Sequence, residues 1–153
     1  MKKAFSLLEI IIVVLIVGLL GTFAINKLFY SIDKSNIFKI KSEVILINNA
    51  INKLYSDQVL LGNSSFTLDR LDDASSNTSG ESLFIGYNEY ILLDIVILSS
   101  SDNNKEIGKW IKSSETTYKT YISKDKLITF EFDRDEGTFS CKKSDETCKE
   151  FMQ

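Results

Sequence analysis

The side chains that could do chemistry are few, and they are unevenly placed along the 153 residues. There is no histidine and no proline, and there are two cysteines. Without histidine the chain has no imidazole base, no Ser-His-Asp or Cys-His catalytic set and no His-ligated metal. It also has no glycine-rich loop for a nucleotide phosphate. An enzyme is therefore not expected, no cofactor is implied, and no catalytic residue is assigned. Three features remain. Glu9 is a lone carboxylate inside an apolar run, Cys141 and Cys148 are close together near the C-terminus, and Asp133, Asp135 and Glu136 crowd one short segment.

The cysteines lack the further ligands that a zinc site needs. In an oxidising compartment a Cys141–Cys148 disulfide is the economical reading, closing a short loop for about 2 kcal/mol. Free thiols are the alternative. The acidic segment has enough oxygen ligands for calcium but not the spacing of an EF-hand loop, and a solvated hairpin tip needs no ion. No metal is assigned.

Glu9 draws attention to its surroundings. From Ile10 to Ile25 the chain reads IIIVVLIVGLLGTFAI, with Thr22 as the one polar residue and no charge. Including Leu7, Leu8 and Glu9, the run is long enough to cross a hydrocarbon core at ~1.5 Å per residue. Lys2 and Lys3 place its start on the cytoplasmic side. Charge divides along the same line. Residues 1–58 carry seven basic and four acidic side chains, and 59–153 carry eleven and seventeen. An acidic outer part repels phosphate backbones, so no direct nucleic-acid partner is expected. A cleavable signal peptide and a plain uncleaved anchor are both alternatives, but neither gives a reason for a carboxylate that costs on the order of 3 kcal/mol in a spanning helix.

The stretch Lys3-Ala4-Phe5-Ser6-Leu7-Leu8-Glu9-Ile10 resembles the processing motif of type IV pilins and of type II secretion pseudopilins. In that family a short basic leader ends in a small residue, phenylalanine follows, and glutamate comes four residues later. Ala4 stands where the family usually has glycine. The resemblance implies cleavage of leader 1–4 between Ala4 and Phe5 by a prepilin peptidase, followed by N-methylation of Phe5. It also implies that Glu9 neutralises the amino terminus of a neighbouring subunit. An amine and a carboxylate that are each costly in lipid become tolerable as a pair, and the pair fixes the stagger between helices. The partners so implied are other pilin-like subunits, the peptidase, an inner-membrane assembly platform and lipid. The expected location is the bacterial inner membrane, single-pass, with a periplasmic C-terminal domain. Secretion, pilus and DNA-uptake machines all remain open, and a membrane-anchored binding module that never polymerises is the competing reading.

The elements expected to position these residues follow from periodicity. Segment 5–25 is the transmembrane and assembly helix, and 26–58 its amphipathic continuation. Ile37, Ile40, Val44, Ile47, Ile51 and Leu54 recur at alternating three- and four-residue steps on one face. With no glycine or proline between Thr22 and Leu61, one helix from about Phe5 to Ser56, about 75 Å long, is expected. A coiled-coil stalk is the alternative, but packing of the stripe on a sheet of the same chain is favoured. Residues 59–153 are expected to form that sheet, after a polar, flexible connection from Asp72 to Gly80. Its candidate strands are Tyr90–Leu98, Thr117–Ile122, Leu127–Asp133 with a turn through Gly137, and Thr138–Lys142. The expected fold is α+β and pilin-like, a long N-terminal helix on a small antiparallel sheet.

Overall fold

The computed structural model describes residues 7–142 and 144–152, with the side chains of 23–33 left undescribed. The fold is α+β. Helix α1 runs Leu7–Leu60, and a small antiparallel sheet follows it. The chain divides into two compact units, Met1–Ser35 and Asn36–Gln153.

α1 ends at its first glycine beyond the stripe. Gly62 takes φ 84°, its N–H donates to Val59 O at 3.0 Å, and the Asn63 N–H donates to Gln58 O at 2.9 Å. This is the Schellman arrangement, in which a left-handed glycine lets the last carbonyls find donors. The helix therefore runs four residues past the expected Ser56.

The second unit is built on the expected stripe. Ile40, Ile47 and Ile51 are fully buried, with Ile37, Val44 and Leu54 packed at the margins of the same core. They face a four-stranded sheet of β5 (Trp110–Lys112), β6 (Thr117–Tyr121), β7 (Leu127–Asp133) and β8 (Thr138–Cys141), in that spatial order. The alternation expected for β7 holds, with Ile128, Phe130 and Phe132 buried. Thr120 lies opposite Ile128 and Tyr118 opposite Phe130, while Phe139 lies opposite Phe132. The rings of Phe84, Trp110, Tyr118, Phe130 and Phe139 meet at centroid distances of 4.7 to 5.8 Å, mostly edge to face, a geometry worth about 1 kcal/mol per pair beyond burial.

Two edges of this sheet are closed. Beside β8, Asn48 donates from Nδ2 to Phe139 O at 2.8 Å and accepts the Phe139 N–H at 2.9 Å on Oδ1. Beside β5, Ser99 bridges Trp110 in parallel, and the Ser100 N–H donates to Trp110 O at 2.7 Å. Asn48→Ala is expected to destabilise the fold by about 2 kcal/mol, since two part-buried backbone groups lose their partner. Urea unfolding of the full chain measures this, and an unchanged midpoint would show that the contact is dispensable.

The structure departs from the sequence-based strands at Tyr90–Leu98. Instead of one strand it holds two short ones, β3 (Tyr90–Ile91) and β4 (Ile97–Leu98), in separate two-stranded sheets with β2 (Gly86–Tyr87) and β1 (Ser82–Leu83). Leu92 and Leu93 are neighbours and are both buried, while Ile91, Ile95 and Val96 are exposed, so the stretch lacks the alternation of a half-buried strand. The tight β2–β3 hairpin needs Gly86, because at φ 113° a Cβ would lie 1.9 Å from Tyr90 O. β5 and the C-terminal helix α2 (Glu146–Met152) were not foreseen. The connection beginning at Asp72 is also corrected, for Asp72 itself is fully buried and firmly held.

Candidate functional site

In the first unit the described side chains form an unusual surface. Every residue from Leu7 to Leu20 is exposed. Twelve of them are large and apolar, with exposures between 49% and 77%. They point in all directions around the helix, so no single face is left for water. Such a helix normally lies within a membrane or a protein core. Covering these side chains is worth roughly 1.5 kcal/mol or more each, on the order of 20 kcal/mol together, which exceeds the net stability of most domains. Glu9 is the one charged side chain from Leu7 to Leu20.

Among the described residues no helix is long and apolar enough to cross a membrane. The expected span 5–25 includes residues 5, 6 and 23–25, which lie outside the described residues or side chains. The leader 1–4, with the Ala4–Phe5 cleavage and methylation positions, lies outside the described residues too.

At the other end of the chain Cys141 and Cys148 are joined by a disulfide with Cα atoms 5.8 Å apart. It links β8 to α2, which also buries Phe151 edge-on against Phe130 at 5.5 Å. The bond closes a short loop and contributes about 2 kcal/mol. The β7–β8 turn holds Asp133, Asp135 and Glu136 as expected, but Asp133 Oδ1 accepts the N–H groups of Asp135 and Glu136, both at 2.9 Å. That carboxylate shapes the turn. Arg134 reaches Glu115 at 2.9 Å, and Arg70 holds the other oxygen of Glu115 at the same distance. Among the described residues no group of three or more His, Cys, Asp or Glu side chains is placed to hold a metal ion.

A polar cluster that sequence reasoning missed lies inside the second unit. Lys112 Nζ is 2.7 Å from Asp72 Oδ1, with side-chain exposures of 4% and 0%. Lys112 also donates to the Asp72 backbone carbonyl at 3.0 Å. Asp72 Oδ1 accepts the Ala74 N–H at 3.1 Å, and Oδ2 accepts the Phe84 N–H at 2.9 Å and the Tyr118 hydroxyl at 2.8 Å. Burial and, next, the Asp72 carboxylate push the Tyr118 phenol far above its ordinary value, so it keeps its proton and donates. Local sequence carries one weak signal for this cluster, the lysine that directly follows Trp110 and Ile111.

Comparison of the chain with protein-family models, with curated proteins and with solved structures finds no match.

Proposed function

We propose that the chain is a pilin-like structural subunit, of the pseudopilin kind, that is held in a membrane by its N-terminal helix and assembles through it. The observation that carries this reading is the all-round apolar surface of Leu7–Leu20 with Glu9 as its one charged side chain. Lipid can cover the apolar side chains before assembly, and the same helices of neighbouring subunits can cover them afterwards. Lipid cannot satisfy Glu9, and a neighbour's amino terminus can. The residues around Ala4 and Phe5 supply that amine, since cleavage between them creates a new terminus four residues before Glu9. The second unit contributes a folded head, cross-braced by Asn48 and by the disulfide. Prepilin peptidase, an inner-membrane platform with its cytoplasmic ATPase, and sister subunits are the proposed partners.

Mass analysis of the chain recovered from membranes of cells with a prepilin peptidase tests the reading. The expected product begins at N-methylated Phe5 and is found in sheared filaments or in cross-linked subunit ladders. A chain that keeps Met1 to Ala4 when the peptidase is present, or that is processed but never cross-links to another subunit, would overturn it.

A further inference from the structure

The buried cluster around Asp72 holds an arrangement that goes beyond an ion pair. An amine and a carboxyl group touch in an interior lined by Phe84, Trp110 and Tyr118, all fully buried. The Phe84 ring packs 4.7 Å from Tyr118 and 5.5 Å from Trp110. The two carboxyl oxygens are treated differently. Oδ2 receives two donors, the Phe84 N–H at 2.9 Å and the Tyr118 hydroxyl at 2.8 Å. Oδ1 receives Lys112 Nζ at 2.7 Å and the Ala74 N–H at 3.1 Å.

We propose that Lys112 and Asp72 condense to an intramolecular isopeptide bond. Lys112 Nζ attacks Asp72 Cγ after one proton has passed from the ammonium to Oδ1, which turns the charged pair into an amine and an acid. The proton has only the 2.7 Å contact between Nζ and Oδ1 to cross. In the tetrahedral intermediate the negative charge falls on Oδ2. The Phe84 N–H and the Tyr118 hydroxyl already donate to Oδ2, at 2.9 and 2.8 Å, so two donors are in place on the oxygen where that charge develops. A second proton leaves the nitrogen for Oδ1, the Cγ–Oδ1 bond breaks, and one water departs. The ammonium's three hydrogens are then accounted for, one on the amide nitrogen and two in the water. No oxidant, metal or external base is needed. The fixed contact supplies the high effective concentration that amide formation lacks in solution, and the apolar walls keep out the water that would reverse it.

The bond would cross-link positions 40 residues apart, tying the segment after α1 to strand β5. It forms whether or not the chain assembles, so its test is independent of the filament reading. Tandem mass spectrometry of a tryptic digest of the purified full chain is the experiment. The expected result is one species joining Leu71–Lys105 to Trp110–Lys119, uncut at Lys112 and one water lighter than the two peptides together. Recovery of the two segments as separate peptides, with cleavage after Lys112, would overturn the proposal. Lys112→Arg keeps the positive charge and removes the nucleophile, so the joined species should disappear. Its persistence in that variant would place the link elsewhere and equally defeat the idea.

Discussion

Glu9→Leu is expected to leave the chain inserted in the membrane while reducing recovered filaments by on the order of 100-fold or more. Both halves of the result follow from the same carboxylate. Removing a charge from an apolar helix relieves an insertion cost of about 3 kcal/mol, so anchoring does not suffer. In an assembled pair the loss leaves a neighbour's amino terminus buried without a counter-charge, a penalty of about 3 to 5 kcal/mol per contact, and about 1.4 kcal/mol is a tenfold change in an equilibrium. Glu9→Gln should fall between, since an amide accepts a hydrogen bond but carries no charge. Quantitative blotting of sheared filaments against the membrane fraction gives the ratio. Equal filament yield from Glu9→Leu and the parent chain would mean that the carboxylate has no part in assembly and would favour a non-polymerising anchored domain.

The largest effect on stability is expected at Asp72. Asp72→Ala strands the Lys112 ammonium in the interior and leaves the Tyr118 hydroxyl and the Phe84 N–H without their acceptor. The cost should be about 3 to 5 kcal/mol, enough to lower the melting temperature by roughly 10 °C or more for a domain of this size. Lys112→Met is the informative companion. It leaves the carboxylate with three donors, from Ala74, Phe84 and Tyr118, and fills the lysine's space with an apolar chain. It should therefore cost about 2 kcal/mol less than Asp72→Ala. Either substitution removes any covalent link between the two side chains, so the difference between the variants compares a stranded ammonium and its orphaned donors with a carboxylate that keeps three donors. Thermal unfolding of both, side by side, gives that difference, and equal melting temperatures would contradict the argument.

Features governed by short-range pattern were readable from the sequence, and features governed by distant partners were not. The stripe from Ile37 to Leu54 and the alternation of Ile128, Phe130 and Phe132 are statements about period, and the core is assembled from them. The end of α1 was legible within four residues because Gly62 is a local signal. Asp72 was misread as part of a solvated connection because its nearest sequence neighbours are polar, while its partners Lys112 and Tyr118 lie 40 and 46 residues away. Asn48 carries no local signal of its role for a similar reason, since Phe139 is 91 residues distant. The run Tyr90–Leu98 misled in the opposite sense. Its apolar density suggested a buried strand, but only Leu92 and Leu93 are buried, and Ile91, Ile95, Val96 and Leu98 are exposed. β5 is three residues long and α2 seven, too short for periodicity to register. At the candidate site, Glu9 stood out from its neighbours, whereas the buried cluster required the fold.

The closed edges of the four-stranded sheet limit how copies of this chain can associate. An uncovered strand is a template on which another sheet can grow, and such growth is hard to reverse. Here Asn48 occupies the outer hydrogen-bonding groups of Phe139, and the Ser99–Ser100 segment occupies those beside Trp110. Copies of the second unit brought close together are thus guarded, at these central positions, against fusing strand to strand. In the assembly proposed above, contacts made through apolar helices would slide apart and return to lipid, so such a fibre could be dismantled as well as built.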